Sequence, residues 1–331
     1  MRQIVIGNGQ AFLEDVPTPE PEGNWVIVKM QSIPICGSDM GGFRGAGEIH
    51  CGGHEGAGEV VAVDSSACLQ VGDRVALNPL SGCGVCDLCR RGDAIFCAAR
   101  PPFMGRMAEY VKIQDFLCTL LPDDITYDLG SLLGCALAPA SSLLRRMDLT
   151  AADTLLITGL GPVGLGATAW AKFTGAYVVA VDPVPWRRDR AVQLGADLTL
   201  DPADQVPDRL RELTGHRGMA VAVDCTGKPP AERLCLDAVG VRGRVGFIGE
   251  NAGTIEISPS NDFIRRGLTL YSTWHMNLND TPALITFLRR YAPAELLISH
   301  RFTFDQVQEA FTTFAGSDAA KVLLKPWGVE P

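Results

Sequence analysis

The sequence predicts an α/β chain in two parts: a compact β-rich part with long loops, and a doubly wound parallel sheet with helices on both faces. Three observations carry this. Up to about residue 125, short β-branched runs such as "NWVIVKMQSI", "GAGEVVAVD", "DRVALNP" and "AEYVKI" are separated by Gly, Pro and Asp. From about residue 150, strand-like and helix-like segments alternate, which implies parallel strands joined by helices. The tail after "STWHMN" breaks that alternation, and it is expected to return to the first part.

The alternating series begins with "DTLLITGLGPVGLGATAWAKFTGAYVVAVD", which reads as strand, Gly-rich turn, helix, strand. "RDRAVQLGA", "PDRLRELTG" and "PAERLCLDAV" read as helices, and "DLTLD", "MAVAVDCTG", "GRVGFIGE" and "LTLYSTW" as strands. In the tail, "TPALITFLRRY" and "DQVQEAFTTFA" read as helices, and "LISHRFTF" and "AAKVLLKP" as strands.

Composition narrows the function. The chain has 331 residues, 47% hydrophobic and 20% charged, enough for a sizeable core in two domains. Lys plus Arg is 29 against 38 Asp plus Glu, a formal charge of −9. That balance argues against nucleic acid or an anionic membrane as the main partner. No apolar run reaches the roughly 18 residues of a membrane span, and the N-terminal stretch has no signal-peptide pattern. The expected location is the cytoplasm. Thiols stay reduced there, so the 11 cysteines read as metal ligands and buried thiols, not disulfides.

"GLGPVG" supplies Gly159, Gly161, Pro162, Val163 and Gly164 directly after an apolar strand and at the start of a helix. Alone the pattern is weak, but this context gives it weight. The glycines permit a tight turn and close backbone approach to a pyrophosphate at the helix N-terminus. Asp182 ends the next strand, where a carboxylate can bond the ribose hydroxyls of NAD and would repel the extra phosphate of NADP. Arg187 and Arg188 follow closely and can hold such a phosphate, so NADP stays the lesser alternative.

"CGVCDLCRRGDAIFC" places Cys83, Cys86, Cys89 and Cys97 within fifteen residues. Four thiolates this close can surround a tetrahedral zinc and leave no position for substrate, which makes the site structural. An iron–sulfur cluster is the other ligand class that four cysteines admit. A second set is scattered: Cys36 in "ICGSDM", His54 and Glu55 in "GGHEGAGEV", and Cys135 in "LLGCALAPAS". Taken singly, the cysteines read as small buried hydrophobes, the histidine as a turn residue and the acid as a surface group. Taken together, they offer Cys–His–Cys or Cys–His–Glu with an open fourth position, the chemistry of a catalytic zinc.

These motifs, in this order along nearly the whole chain, resemble the zinc-dependent medium-chain dehydrogenases, which include alcohol, polyol and threonine dehydrogenases. The resemblance implies a GroES-like β-barrel catalytic domain at 1–136, completed by 276–331, and a Rossmann-type coenzyme domain at 137–275. It implies two zincs per chain and NAD. Cys36 and His54 match zinc ligands. Cys135 matches the variable third ligand, and Glu55 a carboxylate that binds the zinc in some members and sits behind it in others. Ser38 matches the hydroxyl that passes on the substrate proton, Asp39 an acid that orients the ligand histidine, and Lys321 a basic position at the cofactor pyrophosphate. The implied reaction is hydride transfer between NAD and a secondary alcohol, of the polyol, cyclitol or sugar-derived class. A short alcohol or diol, or a threonine-type amino alcohol, is the alternative substrate. A non-catalytic NAD-binding protein with structural zinc is the alternative of another kind. Family habit implies a homodimer or homotetramer through "LTLYSTW". Two departures stand out. Gly41 occupies a position where many members carry a relay histidine. The segment "MGGFRGAGEIHCG" is short and glycine-rich, and nothing in the spacing makes its His50 a relay residue.

Overall fold

The computed structural model describes every residue except 67, 80, 251, 317, 330 and 331. It divides into two compact units: Met1–Ala138 with His275–Pro331, and Pro139–Trp274. Among the described residues, no helix is long and apolar enough to cross a membrane.

The first unit is built around its longest strand, Trp25–Pro34. Val26, Val28 and Met30 alternate inward along it and are fully buried. This strand pairs antiparallel with Gly56–Ala62, with Tyr110–Gln114 and, at its far end, with Lys321–Lys325. Arg74–Leu77 and Cys118–Leu120 extend the sheet on one side, and Ile298–Thr303 extends it on the other. A smaller sheet of Gln10–Asp15, Arg2–Gly7 and Ile49–His50 faces the same core. The tail therefore does return: Leu323 sits opposite Pro34 and Leu324 opposite Ile33. The helix Val307–Ala315 seals the core with Phe311, whose ring stacks on Phe43 at 5.1 Å.

The second unit holds six parallel strands in the order Leu198–Leu200, Tyr177–Val181, Thr154–Thr158, Met219–Asp224, Val239–Phe247, Thr269–Ser272. Chain order reverses beside Thr154–Thr158, the first strand, and ligands of such sheets bind where it reverses. Helices cover the faces, so strands such as "TLLIT" and "YVVAV" are buried along nearly their whole length. The helix Pro162–Thr174 opens with Pro at its start and stops at Gly175, whose φ of 93° is left-handed.

One stretch carried no sequence assignment. Residues after 126 form the helix Tyr127–Ser131, a π-helical turn Leu133–Leu137 and the helix Ala138–Arg146. Here the amide of Leu137 reaches back five residues to the Leu132 carbonyl at 3.2 Å. Cys135 lies on that turn. Such single wide turns occur mostly inside helices and often at functional sites.

Asp128 ties the short helix to the returned tail by ion pairs to Lys325 and to Arg301, the latter at 2.6 Å. Burial pushes its carboxyl up, but the two cations outweigh this and hold it below the ordinary value. A depressed carboxylate stabilises the fold above its unfolded pKa of about 3.9, and this is lost as pH falls through the lower folded value. Asp128→Asn is thus expected to lower the urea midpoint at pH 7 and to flatten its fall between about pH 5 and pH 2. Phe311→Ala is expected to cost about 3–5 kcal/mol in the same measurement, as a buried ring is replaced by a cavity.

Candidate active site and metal centres

The four-cysteine loop brings the sulfurs of Cys83, Cys86, Cys89 and Cys97 within 4.8 Å of one another. Cys83 and Cys89 are 3.9 Å apart, and Cys86 and Cys97 are 3.8 Å apart. A tetrahedral zinc at about 2.3 Å from each sulfur requires S···S edges of about 3.8 Å. None of the eleven cysteines is paired in a disulfide. Backbone amides of Val85 and Cys86 point at Cys83 and pull its thiol down to about 6, whereas burial pushes Cys89 up to about 12. The loop thus favours thiolate at one corner and lacks positive charge at another, which a bound cation supplies. All four corners are protein ligands, so the set fits a closed structural zinc.

The second set is assembled by the fold. Cys36 follows the strand Trp25–Pro34, and His54 and Glu55 precede its partner Gly56–Ala62. Antiparallel pairing of these strands, with Ser32 opposite Ala57, puts the two ends side by side. The π-helical turn delivers Cys135 from the third direction. Donor atoms of Cys36, His54, Glu55 and Cys135 lie within 4.8 Å of one another, and the two sulfurs are 3.6 Å apart. His54 presents Nε2 toward Glu55 Oε1 at 3.7 Å and Nδ1 toward Asp39 Oδ1 at 4.0 Å. The other Asp39 oxygen accepts from the Cys36 amide at 2.8 Å, so one acid steadies two members of the set.

Glu55 is fully buried. Its Oε1 meets the equally buried Lys321 ammonium, while its Oε2 has no hydrogen-bond partner. A bare carboxylate oxygen in a buried cluster of thiols and imidazole is the donor a metal ion would satisfy. The electrostatics agree. Burial pushes Glu55 up to about 7, and burial followed by the Cys36 charge pushes Asp39 up to about 6. The Cys135 hydrogen bond favours thiolate at Cys36, and the same contact drives the Cys135 thiol up. Burial works against charge on His54, but Cys36 and the acids outweigh it and hold His54 at about 9. An anion-rich pocket is leaning on its imidazole and Lys321 for positive charge.

Within the first unit, the Lys321 Nζ is enclosed by Glu55 and by the Ile35 carbonyl at 3.3 Å, so it joins the metal-type cluster, a contact the sequence did not announce. The strand Lys321–Lys325 points it into the core, where only an acid can hold it. Ser38 is exposed, and its hydroxyl caps no backbone amide of the following helix, Asp39–Arg44. Gly41 faces open space: a side chain there would meet no atom within 4 Å. The sequence reading missed His275. Its ring stands edge-on to the His54 ring at 5.8 Å, on a left-handed backbone with φ of 57°. Burial, then the His54 charge, pushes its imidazole down to about 4. No spacing rule could have found it, since 221 residues of chain part it from its neighbour His54.

In the second unit, the turn after Thr154–Thr158 has the geometry that the glycines predict. Gly159 has φ of 84°, and a Cβ on Gly164 would lie 1.7 Å from the Gly159 carbonyl oxygen. Gly161 precedes the helix with nothing within 4 Å of where its Cβ would be, and Pro162 and Val163 form the first helical turn. Asp182 is nearly buried and accepts from the amides of Leu160 at 2.7 Å and Val184 at 2.8 Å. The Arg187 guanidinium stands 3.9 Å from the Asp182 carboxylate, with a buried Nε that has no hydrogen-bond partner. Arg188 is committed to the Asp182 carbonyl and to Asp201.

Comparison with known proteins agrees with both units. Residues 162–290 match the zinc-binding dehydrogenase family, and residues 22–123 match the alcohol dehydrogenase GroES-like domain. The chain is 31% identical to the sorbitol dehydrogenase of Bombyx mori, over 97% of each protein. It is 32% identical to the L-threonine 3-dehydrogenase of Symbiobacterium thermophilum, over 98% of this chain and 97% of that protein. Among solved structures, the alcohol dehydrogenase TADH from Thermus sp. ATN1 superposes with a TM-score of 0.91 at 26% identity, covering 98% of this chain and 99% of that one. With a GroES-like unit bearing two metal-type clusters and a Rossmann unit bearing the glycine turn, the chain belongs to the zinc-dependent medium-chain dehydrogenases.

Proposed function

We propose that the chain transfers a hydride between NAD and a secondary alcohol of the polyol, cyclitol or sugar-derived class. The observation that carries this is the Cys36–His54–Cys135 set with the unsatisfied Glu55 oxygen beside it, on the same chain as a dinucleotide turn. Cys36, His54 and Cys135 would hold a catalytic zinc, with the free Glu55 oxygen beside them as a further donor while its other oxygen serves Lys321. Zinc with an open position supplies Lewis-acid polarisation that makes an alcohol acidic near neutral pH.

The chain's own residues do the rest. The exposed Ser38 hydroxyl takes the substrate proton and passes it to solvent, a role that Gly41 cannot share. Asp39 fixes the orientation of His54. Gly159, Gly161 and Gly164 let the backbone close on the pyrophosphate, and Asp182 accepts the ribose hydroxyls. Arg187, beside Asp182, is the residue that would admit some NADP. The sorbitol dehydrogenase relatives favour a polyol. The L-threonine 3-dehydrogenase relative favours a second reading, an amino alcohol of the threonine type. The Thr269–Ser272 edge of the parallel sheet, where Leu270 is exposed, is the surface for a homodimer or homotetramer.

A panel of polyols, simple secondary alcohols and L-threonine with NAD and NADP tests the substrate class. Highest kcat/KM on a polyol with NAD is expected, and turnover of none of them would leave the non-catalytic alternative. Cys36→Ala should lower zinc from about two to about one per chain and cut turnover by about a thousandfold, as several kcal/mol of transition-state stabilisation goes. Cys83→Ser should instead lower the melting temperature before it lowers turnover of the folded fraction. Asp182→Ala should narrow the preference for NAD over NADP by at least about tenfold in kcat/KM.

A further inference from the structure

Hydrogen bonds that the reaction as read above does not use tie the four-cysteine loop to Asn277, Leu278 and Asn279, two to four residues along the chain from His275. Arg91, Gly92 and Asp93 lie between Cys89 and Cys97. The Gly92 carbonyl accepts from the Leu278 amide at 2.9 Å. The Asn277 side chain donates to the Arg91 carbonyl at 2.9 Å and to Asp93 Oδ1 at 2.7 Å. Asn279 donates to the same Arg91 carbonyl at 2.9 Å, and Asn277 Oδ1 accepts from the Asn279 amide at 2.9 Å. The approach is close enough to exclude a side chain at Gly92: a Cβ there would lie 2.2 Å from Asn277 Oδ1, and φ there is 91°. The short stretch His275–Asn277 and the 3-10 turn Leu278–Asp280 that Asn277 caps are thus clamped to the metal loop at one end. At the other end His275 holds a left-handed backbone and stands edge-on to His54.

A non-glycine residue at positive φ is uncommon, although His tolerates it better than most, and such residues are enriched at functional sites. The surroundings here are the Asn277 clamp on one side and the His54 ring on the other. The position of His275 around the metal set is also informative. Glu55 and Lys321 are fully buried and Asp39 is nearly so, which closes the back of the set. Ser38 is exposed and His275 is half-buried, so neither belongs to that closed back.

We infer that the four-cysteine loop acts on catalysis through Asn277, a positioning residue that holds His275 against His54, where the His275 imidazole hydrogen-bonds a hydroxyl of the substrate beside the reacting one. This rests on the proposed catalytic role of Cys36, His54 and Cys135 for its substrate half only. The clamp itself is a statement about the folded chain. It gives the closed metal site a second task besides stability: it sets one wall of the open site. It also supplies a reason for a hydroxylated substrate, since a simple alcohol has no second hydroxyl for His275 to bind.

The test uses hydrogen exchange and kinetics on the zinc-loaded enzyme. Asn277→Asp keeps the bond to the Asn279 amide but loses both donors and faces Asp93. It should speed amide exchange in a peptide spanning 275–279 by about tenfold or more, with exchange in the parallel-sheet strands unchanged. It should raise KM for the best polyol about fivefold or more, the worth of roughly one hydrogen bond, with a smaller change in kcat. His275→Asn, which tolerates positive φ, should raise KM for the polyol but not for a simple secondary alcohol. Adding Asn277→Asp to it should raise KM no further. The pair Asn277→Asp with Asp93→Asn restores the side-chain bond with donor and acceptor reversed, and should recover most of the lost protection and affinity. Unchanged exchange in Asn277→Asp overturns the clamp. Equal KM effects of His275→Asn on polyol and simple alcohol, or additive effects of the two substitutions, overturn the substrate contact. The exchange readings do not involve the chemistry at Cys36, so they can fail while the proposed function stands, and the reverse.

Discussion

A fully buried ion pair, Lys321 with Glu55, is the interaction on which both the fold of the first unit and its metal-type cluster depend. A charge removed from water without a partner is strongly unfavourable, and breaking such a pair costs about 3–5 kcal/mol. The lysine comes from a strand near the end of the chain, and the glutamate from the residue just before the strand Gly56–Ala62. The C-terminal segment therefore cannot be only a convenient seal on the β-rich core. It carries the cation that lets a carboxylate sit, dehydrated, against two cysteines and a histidine. One Glu55 oxygen is spent on the lysine and the other is left without a partner. The pair thus holds the acid where it can meet a metal ion without obliging it to do so.

The two metal-type clusters show two ways of gathering donors. The four cysteines are separated by two, two and seven residues, so the loops that must close are short and local. Such a set can be read from spacing alone. The Cys36, His54, Glu55 and Cys135 set spans about a hundred residues and exists only after strands Trp25–Pro34 and Gly56–Ala62 have paired. Its chemistry was legible as residue types, and through the likeness to a family, but not as geometry. The π-helical turn that aims Cys135 had no signal at all, because a wide turn leaves no mark in hydrophobic periodicity.

The parallel-sheet unit was the most legible part of the chain. Most of its strands are short apolar runs bounded by Gly, Pro or Asp, and several of the helices between them carry a visible start or stop. Local preference and global fold agree there. The β-rich unit was legible as strands but not as pairings, since strand partners far apart in sequence are chosen by packing. Lys321 illustrates the limit. Its place in a family pattern implies a phosphate contact, but nothing in the pattern announces the buried acid that the Lys321–Lys325 strand gives it. His275 lies beyond any pattern, because its importance comes only from what packs on it.

Asp182 shows why cofactor choice and fold are hard to separate in this chain. Its two oxygens accept from the amides of Leu160, inside the glycine turn, and of Val184, in the segment after its own strand. The carboxylate is therefore a staple between two loops as well as the group proposed to meet the ribose. Its remaining lone pairs are aimed by those bonds, not by rotamer freedom. A carboxylate so fixed stays in place whichever nucleotide approaches, and it would repel an extra phosphate at no cost in reorganisation. Arg187, only 3.9 Å away, can answer that repulsion only by leaving Asp182. The preference for NAD is thus built into the turn that binds either cofactor. A route toward NADP that removes the Asp182 carboxylate must first find another partner for the Leu160 amide.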